Sequence, residues 1–156
     1  MEQIPFQDQF PDDFVHCFGC GRDNPFGLQI KSTWEGDTAV CHFTPQPYHT
    51  AYPGVVNGGI LATLIDCHGV GTAAAHTYRA SGRAVGEGAD PRMVTASLHV
   101  DYLRPTPLGP LDLRARVVEE TDRRTHVEVE VHAGGQVCAR GRVVVARMRA
   151  REDASD

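Results

Sequence analysis

No apolar stretch in this 156-residue chain approaches the roughly 18–20 residues that a membrane helix needs. The longest branched run near the C-terminus, Val143-Val144-Val145, is strand-sized. The N-terminus, Met1-Glu2-Gln3-Ile4-Pro5, has neither a basic region nor an apolar core, so the reading predicts no secretory signal and no membrane partner. Basic residues are also in deficit. With 15 Lys and Arg against 20 Asp and Glu, the net charge is −5, which gives no global electrostatic reason to bind nucleic acid. There is no internal repeat and no linker, so one domain is expected over residues 1–156, with 1–26 as a lead-in segment and 149–156 as a flexible tail. Five cysteines, an odd count without an export signal, read as reduced thiols in a cytoplasmic protein. Cys17-x-x-Cys20 followed by Gly21 has the look of half a zinc knuckle, but no second CxxC exists. His16 and His42 are the nearest candidate ligands in sequence; with two thiols in view, no metal and no cofactor are expected.

What is present is a change of period along the chain. The lead-in segment is rich in Pro, Gly, Asp and aromatics and is expected to pack through Phe6, Phe10, Phe14 and Phe18. Residues 28–34 and 38–44 alternate around Glu35-Gly36-Asp37, a hairpin signal. Pro45, Pro47 and Pro53 then forbid regular structure up to about residue 56. From Asn57, a candidate N-cap, Ile60, Leu61, Leu64, Ile65, Val70, Ala73 and Ala74 recur at helical spacing. Most other positions in that stretch are small, and Asp66 is its one acid. A helix that is apolar or small nearly all round is a buried helix. A loop is expected from Arg79 to Asp90. The period then becomes two. Over residues 93–103, Val94, Ala96, Leu98, Val100 and Tyr102 are expected on one face, and Thr95, Ser97, His99 and Asp101 on the other. Further strands are expected over 111–118, 125–133 and 136–148. The order is a hairpin, one buried helix and an antiparallel meander, an α+β pattern satisfied by a single sheet wrapped around the helix. Such a sheet leaves surface and edges uncovered, so self-association to a homodimer or tetramer is expected.

Chemistry concentrates in Pro53-Gly54-Val55-Val56-Asn57-Gly58-Gly59-Ile60-Leu61-Ala62-Thr63-Leu64-Ile65-Asp66. Two glycines at a helix start let a ligand approach the free N–H groups, where the helix dipole favours negative charge. An oxyanion hole has that requirement. Asp66 sits in an otherwise apolar helix, where an unpaired carboxylate is costly. Such an acid either caps a neighbouring loop or does chemistry.

This segment resembles the signature of the hotdog-fold acyl-CoA thioesterases of the phenylacetate-pathway, or PaaI-like, family, in which a Gly-Gly pair opens the central helix and an acid follows on a later turn. Thr95-Ala96-Ser97-Leu98-His99-Val100-Asp101-Tyr102-Leu103-Arg104-Pro105, followed by Gly109, resembles the strand and turn after that helix. Cys17-Phe18-Gly19-Cys20-Gly21, with Asn24-Pro25 and Gly27-Leu28, resembles the entry segment of one branch. The resemblance implies a hotdog fold, a curved antiparallel sheet around one long helix. It also implies hydrolysis of an acyl-CoA thioester to a free acid and CoA at sites shared between subunits. It assigns Gly58 to polarising the thioester carbonyl, Asp66 to nucleophile or general base, and Thr95 to holding the attacking water. Where many members carry His before the Gly-Gly pair, this chain has Asn57, which can still donate to a carbonyl.

Gly59, His49, His68 and Arg104 complete the expected substrate-binding set. His49 lies in the loop before the helix, where it faces either the acyl pocket or solvent. His68 points to the other side of the helix from Asp66 and is read as an interface histidine. Arg104 is a candidate partner for CoA phosphates, with Arg79, Arg83 and Arg92 behind it. Cys67 reads as core packing. Two competing functions share this pattern: a hotdog hydratase or dehydratase, for which the helix lacks the Asp-x4-His spacing, and a non-catalytic acyl-CoA-binding protein, against which Asp66 counts.

Overall fold

A computed structural model describes residues 2–148; the expected tail over 149–156 lies outside the described residues. Two short turns of helix open the chain: α1 (Phe6–Gln9) and a 3-10 turn at Asp12–Phe14. Then come β1 (Thr33–Glu35), β2 (Thr38–Phe43), α2 (Gly58–Ala80), β3 (Met93–Tyr102), β4 (Leu111–Glu120), β5 (Arg124–Ala133) and β6 (Gln136–Arg147). The six strands form one antiparallel sheet in the order β1-β2-β4-β5-β6-β3. Helix α2 lies across β3, β4, β5 and β6. This is the hotdog arrangement expected from the sequence.

The helix begins where the chain supplies a cap. The Asn57 side-chain oxygen accepts from the N–H groups of Gly59 at 2.8 Å and Ile60 at 3.3 Å. It runs to Ala80, so the loop starts after Arg79 rather than at it. Leu61, Leu64, Ile65 and Ala73 face Val127, Val129, Val131, Val143 and Val145 in one core. Burial of each such side chain contributes about 1.5–3 kcal/mol. Helix and sheet approach closely because each offers a glycine. A Cβ on Gly69 would stand 2.6 Å from Val143 Cγ2, and one on Gly141 would overlap the Ile65 side chain.

Two expectations about strands are corrected. Residues 28–32 do not extend β1. Gln29 sits at φ +56, and Leu28 and Ile30 donate their N–H groups to the carbonyls of Phe18 and Gly19. That stretch pairs with the lead-in segment, and Phe6 N–H reaches Ser32 O to complete the contact. The lead-in packs through Phe6, with Phe10 and Phe14 half-buried, but Phe18 is exposed. The second correction lies in β3. A bulge between Thr95 and Ser97 makes Ala96 an extra residue. Thr95 pairs with the inward Val145, whereas Leu98, Val100 and Tyr102 pair with Val143, Gly141 and Ala139. Thr95 therefore shares a face with Leu98, Val100 and Tyr102, and that face looks at the helix.

Candidate active site

The bulge in β3 brings together the two residues that matter most. Thr95 Oγ1 donates to Asp66 Oδ1 at 2.6 Å. Burial raises the Asp66 carboxyl above its ordinary range, the Thr95 hydroxyl pulls it back, and the charge of nearby Cys17 pushes it up again. The pair opens on an apolar cavity of about 210 Å³ between α2, β3 and the lead-in segment. Phe10, Phe14, Val70, Ala74 and Met93 supply most of its wall, and Cys17, Cys20 and Cys67 line it beside Asp66.

Toward the helix start, the Asn57 cap takes the N–H groups of Gly59 and Ile60 and leaves that of Gly58 outside it. Gly59, expected to bind substrate, thus has its donor engaged within the chain. Tyr102, given no role in the sequence, closes over this end. Its hydroxyl donates to Gly58 O at 2.7 Å, and its ring would stand 3.4 Å from a Cβ at position 58. Its place in the alternation after the bulge is the signal that leads to it. His49 stands next to the cap: its carbonyl accepts from Asn57 N–H at 2.8 Å, and its Nδ1 accepts from Gln46 N–H. Burial lowers its pKa.

The remaining candidates fall elsewhere. His68 is fully buried beneath the other side of the helix. Its Nε2 donates to Ala39 O at 3.0 Å, and its Nδ1 accepts from Ser32 Oγ at 2.8 Å. Ser32 in turn accepts from Gln7 Nε2. With both nitrogens used inside the chain, His68 holds β2 and the lead-in to the helix and does not face a substrate. Desolvation lowers its pKa to about 4. Arg104 is exposed and donates to Gln136 Oε1, a solvated position away from the Asp66 pocket. Cys67, read as core packing, is a buried member of the core and also meets the CxxC turn, its Sγ 3.7 Å from that of Cys17. Neither His16 nor His42 belongs to that group.

A carboxylate in an apolar pocket with a hydroxyl that orients it suits attack on a carbonyl, and the uncapped Gly58 N–H at the helix start suits polarising one. Residues 53–140, more than half the chain, match the family described as the thioesterase superfamily. The chain belongs to the thioesterase superfamily. A crystal structure of a thioesterase superfamily protein from Shewanella loihica PV-4 is 41% identical and covers 90% of this chain and 100% of its own, with a TM-score of 0.68. The PaaI protein of the E. coli phenylacetic acid degradation operon is 19% identical, covering 79% of this chain and 82% of its own at a TM-score of 0.62, a likeness of fold. The acyl-coenzyme A thioesterase THEM4 of Xenopus laevis is 36% identical over 85 residues, which is 54% of this chain. The superfamily member described here spans about a third, 32%, of that relative's length.

Proposed function

We propose that this chain hydrolyses an acyl-CoA thioester to a free acid and CoA, with Asp66 as the catalytic carboxylate and Thr95 holding both it and the attacking water. The observation that carries this reading is the 2.6 Å Thr95–Asp66 hydrogen bond at the mouth of an apolar cavity. A carboxylate raised by burial is a stronger base than one in water, and the Thr95 bond keeps it ionised enough to act. The cavity receives the acyl group, and the Gly58 N–H polarises the thioester carbonyl. No group beyond the chain's own is required for these steps.

The site is shared between two copies. Gly58 and Asp66 are eight positions apart on one helix, which is about 12 Å at 1.5 Å per residue, too far for both to reach one carbonyl. A strip of α2 through Gly59, Ala62, Thr63, Asp66, Val70 and Ala74 is not fully covered by its own chain, and β3 beside it exposes Leu98 and Tyr102. An antiparallel second copy on this strip sets Gly58 of one chain against Asp66 of the other and covers the apolar edge. The chain acts as one domain, its lead-in supplying Phe10, Phe14, Cys17 and Cys20 to the pocket wall. Five free cysteines support a reducing, cytoplasmic setting, and no helix among the described residues is long and apolar enough to cross a membrane.

The test is release of CoA from a panel of short, medium and aromatic acyl-CoA thioesters. It is followed by chromatography, because the chain's own five thiols react with thiol reagents. Turnover of at least one class supports the reading; binding without hydrolysis of any would leave an acyl-CoA-binding protein in its place.

A further inference from the structure

The three thiols beside Asp66 are not needed by the reaction proposed above, and their arrangement has its own chemistry. Cys17 and Cys20 sit on a tight turn of the lead-in segment, closed by Gly21 N–H donating to Cys17 O at 2.8 Å. Cys67 comes from the middle of α2, fifty residues on, and its Sγ atom lies with those of Cys17 and Cys20 inside a group no wider than 4.8 Å. Gly19 is what lets the turn come so close, since a Cβ there would overlap Cys67 Sγ and press on Thr63.

The turn has the features of a metal-thiolate knuckle. Cys17 Sγ and Cys67 Sγ stand 3.7 Å apart, within reach of a thiol hydrogen bond, and Cys20 Sγ completes the group. The spacing fits. With Zn–S bonds of about 2.3 Å, two corners of a tetrahedron stand about 3.8 Å apart. The Cys17–Cys67 separation is already 3.7 Å. Cys20 needs to close by at most about 1 Å to reach the same geometry, a side-chain rotation.

We propose that Cys17, Cys20 and Cys67 form a three-thiolate site for a soft, tetrahedral metal ion, zinc, that clasps the lead-in segment onto the central helix next to Asp66. Binding takes all three as thiolates, any proton still on sulfur passing to solvent, and leaves the ion and its ligands with one net negative charge, +2 against −3. The fourth position opens on the pocket that all three cysteines line. The order of contributions, CxxC first and one helix cysteine later, makes the clasp an interaction between segments. Metal binding therefore stabilises the lead-in against the helix. The inference stands apart from the thioesterase reading, since it concerns occupancy and not turnover.

The test uses untagged full-length protein purified without chelator. Elemental analysis should find about one zinc per chain, and Cys67→Ser or the Cys17→Ser, Cys20→Ser pair should bring it below about a tenth. Cys138→Ser, at a buried cysteine outside the group, should leave it unchanged. Wild-type protein stripped of metal and loaded with Co²⁺ should show a thiolate-to-cobalt charge-transfer band, which needs no folded variant. Zinc-free protein that takes up neither ion at micromolar concentration, with its thiols free, overturns the proposal. A Cys17–Cys67 or Cys17–Cys20 disulfide in freshly purified protein also overturns it, by showing a redox pair.

Discussion

Replacing Thr95 by Val keeps the branched shape and removes one atom's worth of chemistry, the hydroxyl that donates to Asp66 at 2.6 Å. Among the described residues no other side chain bonds to that carboxyl. A hydrogen bond to a charged group contributes about 1.5–3 kcal/mol. Asp66 is only half-buried, and water replaces part of the lost bond, so the lower end applies. At about 1.5 kcal/mol, kcat/KM falls by roughly tenfold. The pH profile gives a second signature. Asp66 must be ionised to act, so the rate rises as pH rises through its pKa. Burial raises that pKa and the Thr95 bond lowers it. Without the bond the pKa climbs, and the acid limb of kcat/KM moves to higher pH. The assay is initial CoA release by wild type and Thr95→Val over about pH 4.5 to 9. A variant with unchanged rate and an unmoved acid limb would refute the pairing of Thr95 with a working carboxylate.

Three further outcomes are expected. His68 takes no proton in the fold until about pH 4, against 6.5 when unfolded, so the unfolded state binds more protons between those values. Urea unfolding should show stability falling by about 3 kcal/mol as pH drops from 6.5 to 4, a slope that His68→Phe removes while lowering stability at pH 7 by about 1–3 kcal/mol. Gly141→Ala forces a Cβ into Ile65 and should cost about 1–3 kcal/mol in guanidinium unfolding, whereas Gly134→Ala meets no atoms and costs only the strain of its positive φ. Co-expressed Asp66→Asn and Gly58→Pro chains, each inactive alone, should regain one working site per mixed dimer. Proline at 58 is compatible with the helix start, since Asn57 already lies at ψ 134. Isolated, folded mixed dimers that stay inactive would count against sharing.

The fold was legible where one signal dominated. Small and apolar residues from Asn57 onward had a cap and no breaker, and strict alternation over 111–118 and 125–133 left each strand one choice. The reading went astray where local geometry overrode period. A single extra residue at Ala96 turned Thr95 to the helix face, which alternation alone had set against Leu98. Gln29 in a left-handed conformation sent residues 28–32 to the lead-in, where the alternation alone suggested a longer β1. At the site, Asp66 stood out because an acid in an apolar helix needs a reason. His68 was read as an interface histidine, and its partners Ser32, Gln7 and Ala39 lie at least 29 residues away in sequence, so its buried network had no local sign. The same holds for Cys67, whose neighbours Cys17 and Cys20 are brought to it only by the tertiary fold.

The central claim rests on Asp66, and Asp66→Asn tests it with the least disturbance, since the amide keeps the size of the side chain and can still meet Thr95. The measurement is steady-state CoA release by wild type and variant on the best acyl-CoA of the panel, with unfolding curves to show that both are folded. The account predicts that kcat falls by on the order of 10² or more while binding of the thioester persists. A folded Asp66→Asn protein that releases CoA at close to the wild-type rate would contradict it.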